Sequence, residues 1–287
     1  MSEHVERGHR PRRSAAQALP GAPQGSASAA TKEALSLLEV RGVTKRFEGL
    51  VAVDSVDLDV GEGDILGVLG PNGAGKTTLF NCLSGLEVPT GGEIRFRGQP
   101  LSGRPDRFTR AGVSRTFQNI RLFPHMTVFE NVLVGRHCRT HVGLASAIGR
   151  GPRFRREELE SEERADELLG FVGLQHQDAV VARNLSYGDQ RRLEIARALA
   201  SEPGLLLLDE PRAGMNAQET RATAELVRQI RDRGVAVAVI EHDMRFIFGL
   251  CDRVAVLVQG RKLVEGTPTE VQADPRVIEA YLGTPTA

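Results

Sequence analysis

Cysteine is scarce in this chain. Its three cysteines, Cys82, Cys138 and Cys251, are odd in number and far apart, which argues against a disulfide framework or a clustered zinc site. They read as small buried apolar residues in a reducing compartment. Net charge is missing as well, because 37 basic side chains balance 37 acidic ones. A neutral chain has no general attraction for nucleic acid or an anionic membrane, so no nucleic-acid partner is expected. Long apolar runs are absent. Stretches such as Val235–Ile240 fall far short of the ~20 residues that a membrane helix needs. Any work at a membrane therefore requires a separate membrane-spanning partner. The N-terminus lacks the apolar stretch of a secretory signal, and no repeat of solenoid period is present.

The composition that remains, 40% hydrophobic and 26% charged over 287 residues, is that of one large globular domain or two intimate ones. Residues 1–35 stand apart. They are rich in Ala, Pro, Gly, Ser and Arg and show no apolar periodicity, which predicts a disordered tail. Order is expected over 36–287.

Two kinds of strand follow. Val56, Leu58 and Val60 alternate with Asp57 and Asp59, and Ile94 and Phe96 flank Arg95. With a first strand through Leu38, Val40 and Val43, these predict a half-buried antiparallel sheet. Ile65–Leu69, Leu205–Leu208 and Val235–Ile240 are apolar throughout, as in a parallel sheet covered on both faces. Leu226, Val227 and Ile230 mark one face of a helix from about Ala217 to Arg231. The middle, about 119–200, reads as mainly helical, and its mixed-charge run Arg153–Glu167 as a solvated helix face. Val254–Val258 and Lys262–Val264 flank Gln259-Gly260, a hairpin signal. Thr267, Pro268 and Glu270 then fit a capped helix start.

The strongest motif is Gly70-Pro71-Asn72-Gly73-Ala74-Gly75-Lys76-Thr77-Thr78, between an apolar strand and an apolar helix. Glycines let backbone N–H groups converge on phosphate oxygens, and a helix N-terminus adds positive potential. Lys76 is expected at the β- and γ-phosphates and Thr77 on Mg²⁺, so the expected ligands are ATP and Mg²⁺. A second motif, Leu205–Leu208 followed by Asp209-Glu210-Pro211, ends a buried strand in two carboxylates. Ligands of open parallel sheets sit beyond the carboxyl ends of strands, so both motifs can face one phosphate site. Asp209 suits the metal, and Glu210 is placed to orient or deprotonate a water.

Leu185-Ser186-Tyr187-Gly188-Asp189-Gln190 resembles the L-S-G-G-Q signature of ABC ATPases, with Tyr187 and Asp189 departing from it. The motif order supports the resemblance. Arg115-Thr116-Phe117-Gln118 resembles the Q-loop, Gly214-Met215-Asn216 the D-loop, with Asn216 in place of the commoner Asp, and Ile240-Glu241-His242-Asp243 the switch segment. Arg212 stands where the family has a small residue. The resemblance implies that Gln118 lies near Mg²⁺ and the water, that His242 contacts the γ-phosphate, and that Phe47 stacks on adenine. It further implies that Ser186 and Gly188 bind nucleotide across a dimer.

The implied fold is an α/β P-loop NTPase of ABC ATPase type: a mixed, largely parallel core sheet, an antiparallel β subdomain and an α-helical subdomain over about 119–200. Ser114–Asn119, Leu122-Phe123, Met126–Val132, Leu193–Arg197, an insert around Gly143–Arg156 and the ending Glu279–Gly283 look most like ATPases of high-affinity branched-chain amino-acid transporters. That likeness implies an ATPase at the cytoplasmic face of the membrane. Its implied partners are transmembrane permease subunits, a second ATPase subunit, identical or sister, and, indirectly, a periplasmic or extracellular substrate-binding protein. The alternatives are a soluble ABC ATPase of DNA repair or translation, and the ATPase of a urea, amide or lipopolysaccharide transporter.

Overall fold

Two spacings of apolar residues build two different sheets. The computed structural model describes residues 36–139 and 152–282. The expected tail and much of the expected insert at 143–156 lie outside the described residues. β1 (Ser36–Phe47), β2 (Leu50–Gly61), β4 (Gly91–Phe96) and β5 (Gln99–Pro100) form an antiparallel sheet in the order β2-β1-β4-β5. Its alternation works as read: Val56, Leu58 and Val60 are buried, while Asp57 is exposed and Asp59 half-buried.

The second sheet has the order β10-β9-β3-β8-β7-β6. β3 (Ile65–Leu69), β6 (Val113–Arg115), β7 (Leu205–Asp209), β8 (Ala236–Ile240) and β9 (Arg253–Val258) run parallel. β10 (Arg261–Gly266) closes one edge antiparallel. Its turn puts Gln259 at φ 49° and Gly260 at φ 81°, the left-handed pair that a two-residue hairpin favours.

Every residue of β3, β7 and β8 is buried. Leu206, Leu208, Val237 and Val239 face one core, with α6 (Ala217–Asp232) and α7 (Met244–Leu250). Leu205, Leu207, Ala236 and Ala238 face the other, shared with the antiparallel sheet and with Leu79, Phe80 and Leu83 of α1 (Lys76–Leu83). Side chains of that size stabilise the fold by ~1.5–3 kcal/mol each when fully buried. α1 is thus fixed between the sheets, and the phosphate-loop motif is fixed with it.

α2 (Pro105–Ala111) precedes β6, and α3 (Val128–Arg136), α4 (Pro152–Val172) and α5 (Tyr187–Leu199) pack together. The mixed-charge run lies on α4, whose inward stripe is Ser161, Ala165, Leu168, Leu169 and Val172. The expectation of mainly helix over 119–200 holds less well at its edges. Residues 116–127 have no helix or strand. There Asn131, fully buried, accepts from the Phe123 N–H at 2.9 Å and donates to the Phe123 and Thr127 carbonyls. Side-chain bonds, rather than periodicity, shape that segment. α8 (Pro268–Ala273) starts in the expected Thr267/Glu270 capping box, and α9 is Pro275–Leu282.

The order β3-β8-β7-β6 has a consequence for chemistry. These strands are neighbours pointing the same way. The segments that follow them, carrying Lys76, His242, Glu210 and Gln118, therefore leave from one edge of the sheet.

Candidate active site

The phosphate loop turns sharply between β3 and α1. Gly70 has φ 154° and Gly75 φ 94°, and a Cβ on either would come within 2.2 Å of a backbone oxygen, that of Leu257 or of Ala52. No larger residue fits these two positions without moving backbone. Gly75 is also the N-cap of α1 and has no side chain to satisfy the first-turn N–H groups. Those donors and the positive end of the helix favour an anion. Lys76 is buried, and its ammonium donates to the carbonyls of Gly70 at 2.7 Å and Pro71 at 3.0 Å. Burial pushes its pKa below the ordinary lysine value, while the charges of Glu210 and Asp209 oppose that shift. Thr77 is exposed in the first turn and Thr78 half-buried.

β7 delivers the acidic pair. Asp209 is buried, and its Oδ2 accepts from Arg115 Nη2 at 2.7 Å. Arg115 also donates to Asn81 Oδ1 and Ser84 Oγ, at 2.7 and 3.2 Å, so it ties β6, β7 and the end of α1 together. Glu210 takes a left-handed φ of 46°, a conformation that costs a non-glycine residue roughly 1–2 kcal/mol. Its N–H donates to Ile240 O at 3.0 Å, and its Oε2 accepts from Gln118 Nε2 at 3.0 Å. His242 Nδ1 lies 3.9 Å from Glu210 Oε1 and 3.5 Å from Glu241 Oε2. Glu241 is fully buried, and burial pushes its carboxyl pKa up against the pull of the Arg212 N–H bond. Gln118, Glu210 and His242 therefore meet, with Lys76 close enough for its charge to respond to both carboxylates.

Among the described residues no group of three His, Cys, Asp or Glu side chains could hold a metal ion. Thr77, Asp209 and Gln118 instead offer a hydroxyl, a carboxylate and an amide oxygen. Such sparse hard-oxygen ligation suits Mg²⁺, which commonly takes one or two carboxylates and completes its shell with phosphates and water. The Gln118 amide nitrogen is engaged by Glu210, so its oxygen is the atom left for a cation.

Ser186 and Gly188 sit elsewhere, at the start of α5. Ser186 N-caps that helix, accepting from the Asp189 N–H at 3.2 Å and donating to Asp189 Oδ2 at 2.8 Å. Gly188 borders a cleft of about 590 Å³ with Arg192, Asn216 and Glu219, and no residue of the phosphate loop lines it. Phe47 is 40% exposed at the β1–β2 turn, with Lys45 Nζ 4.8 Å from its ring centre. It is not a core residue.

The departures from the family pattern have local partners. Tyr187 OH accepts from Arg191 at 3.3 Å. Asp189 pairs with Arg192. Asn216 caps α6 through the Gln218 and Glu219 N–H groups. Arg212 pairs with Asp243, and its N–H donates to Glu241 at 3.2 Å, joining the segments after β7 and β8. The sequence motifs give Arg115 no role of its own, although its place three residues before Gln118 is a usable signal.

The ABC transporter family model matches residues 53–213, more than half of the chain. The chain belongs to the ABC transporter family. A second model, of the branched-chain amino acid ATP-binding cassette transporter, matches residues 261–287. Among curated ABC proteins, the high-affinity branched-chain amino acid transport ATP-binding protein LivG of Salmonella typhimurium is 48% identical over 249 residues, 86% of this chain and 98% of the relative. The corresponding protein BraF of Pseudomonas aeruginosa is 46% identical over the same shares.

Two solved structures, a nucleotide-free ATP-binding cassette from an ABC transporter and the ADP conformation of such a cassette, are each 30% identical with a TM-score of 0.76. Each likeness covers 86% of this chain and 99% of the other. The fold is that of an ABC ATPase, and the chain is a nucleotide-binding ATPase of that family. Among the described residues no helix is long and apolar enough to cross a membrane.

Proposed function

We propose that this ATPase hydrolyses Mg²⁺-bound ATP to drive a membrane importer of branched-chain amino acids. The observation that carries the reading is the near end-to-end likeness to proteins named for that transport, spanning 98% of the LivG relative's length. The site chemistry agrees with it. The loop N–H groups of residues 70–78 and the Lys76 ammonium bind the β- and γ-phosphates, and Phe47 stacks on adenine. Thr77, Asp209 and Gln118 hold Mg²⁺, which when bound neutralises charge on the phosphate oxygens. Glu210 accepts a proton from the attacking water at its carboxylate, Gln118 orients that carboxylate, and His242 stands at the γ-phosphate.

Ser186 and Gly188 lie apart from this cluster, so they complete the site of a second ATP-binding subunit, identical or sister. The chain then works as a peripheral subunit on the cytoplasmic face, against permease subunits that receive substrate from a binding protein on the other side. The test is to isolate the chain with its membrane partners, reconstitute them in vesicles and measure ATP-driven uptake of leucine, isoleucine and valine beside urea and short amides. Uptake confined to urea or amides would replace the substrate class. Brisk hydrolysis with no membrane partner captured would favour a soluble ATPase.

A further inference from the structure

Two charged side chains of α5 are buried outside the cluster of Lys76, Gln118, Glu210 and His242. Arg191 is 0% exposed and Glu194 1%, a short way along the helix from Ser186 and Gly188. They pair Nη1 to Oε2 at 2.7 Å. Burying an ion pair costs several kcal/mol of desolvation, which is offset only when further hydrogen bonds satisfy both ions. Apart from a 3.3 Å bond from Arg191 Nη2 to Tyr187 OH, those bonds go to one backbone segment. Arg191 Nη1 donates to Phe117 O at 2.5 Å and Nη2 to Gln118 O at 2.8 Å. Glu194 Oε1 accepts from the Phe117 N–H at 3.3 Å and the Arg121 N–H at 3.2 Å. Residues 117–121 have no helix or strand, so these bonds supply the local order that secondary structure does not.

We propose that Arg191 and Glu194 are positioning residues for hydrolysis. They fix the backbone of Phe117–Arg121 so that the Gln118 amide meets Glu210. They also join that loop to the helix that begins at Ser186, making the two one mechanical unit. The inference rests on the proposed roles of Gln118 and Glu210.

The test uses the full chain. Arg191→Met combined with Glu194→Leu exchanges the pair for apolar groups of similar volume, a kind of change that often leaves stability intact. The double variant should melt within a few degrees of wild type and bind nucleotide with unchanged Kd. Its kcat should fall ~10–100-fold, the cost of a misplaced catalytic group, and amide exchange should quicken at residues 117–121. Glu194→Gln keeps an oxygen acceptor for both amides and should lose only a few-fold in kcat, but it turns an amide NH₂ toward Arg191, leaves that charge unpaired and should lower the melting temperature. A folded double variant with wild-type kcat and wild-type exchange at 117–121 overturns the proposal. Should that variant not fold, Arg191→Lys decides. One ammonium cannot reproduce the planar fork on two carbonyls, so kcat should fall and exchange rise, whereas wild-type values for both overturn the proposal. Glu210→Gln measured alongside separates the layers: normal turnover there strikes the assignment of the hydrolytic site itself, whatever the α5 variants do.

Discussion

Gln118 and Glu210 stand 92 residues apart in sequence and meet at 3.0 Å, amide Nε2 to carboxylate Oε2. The bond joins the loop after β6 to the end of β7 and leaves Glu210 Oε1 facing His242 Nδ1 at 3.9 Å. A carboxylate held on one oxygen and open on the other suits a group that takes a proton from water. Glu210→Gln should therefore keep nucleotide affinity and lose turnover by ~10²–10⁴-fold, the span of general-base assistance. Phosphate release and equilibrium nucleotide binding on one preparation check this. Near-normal release would remove Glu210 from the role.

Arg115 and Asp209 give a second prediction. The pair is 4% and 2% exposed, so solvent screens it little. Arg115→Met leaves the Asp209 charge buried without its partner, and breaking such pairs costs ~3–5 kcal/mol. A denaturant midpoint well below wild type is expected. A variant as stable as wild type would mean that Asn81, Ser84 or water takes over the carboxylate.

The thiols supply a third. Burial pushes Cys82 up to about 11 and raises Cys138 and Cys251 as well. Only the thiolate reacts, so at about pH 8 roughly one Cys82 side chain in a thousand is reactive even before access is counted. Native labelling should be slow and rise about tenfold per pH unit, because the ionised fraction grows that way below the pKa. Cys138, the half-buried one, should react first. Rapid labelling of all three at neutral pH would show that the cores around α1 and α7 open readily.

Much of this site is legible in sequence because its chemistry demands contiguous residues. A loop that is to wrap a phosphate must be local, as the motif at 70–78 is, and β3, β7 and β8 read as apolar runs because both faces are covered. Arg115 with Asp209, and Arg191 with the Gln118 carbonyl, are contacts across 94 and 73 residues. Periodicity carries no trace of such pairings. The stretch at 116–127 takes its shape from Asn131, eight residues beyond Phe123, and from Glu194, 73 residues beyond Arg121, reaching back to its backbone, and side-chain-to-backbone bonds of this kind leave no mark on periodicity.

The last prediction concerns Leu122 and Phe123, which follow Gln118 closely and could equally pack inward or meet a partner. The structure separates them. Leu122 packs against the core that includes α3 and α5, whereas Phe123 is 42% exposed, its ring centre 5.9 Å from the guanidinium of Arg197. Asn131 fixes the Phe123 backbone through both its N–H and its carbonyl, so the exposed ring projects from an ordered backbone. A large apolar side chain exposed beside the loop that carries Gln118 fits an interface. Phe123→Ser should then leave melting and nucleotide binding of the isolated chain nearly unchanged, since surface substitutions are usually worth within about 0.5 kcal/mol. Capture of the membrane subunits should weaken, and hydrolysis should no longer respond to transport substrate. Leu122→Ser, by contrast, should lower the melting temperature, because it places a hydroxyl against the core. If Phe123→Ser assembles and transports like wild type, the ring has no part in the membrane contact.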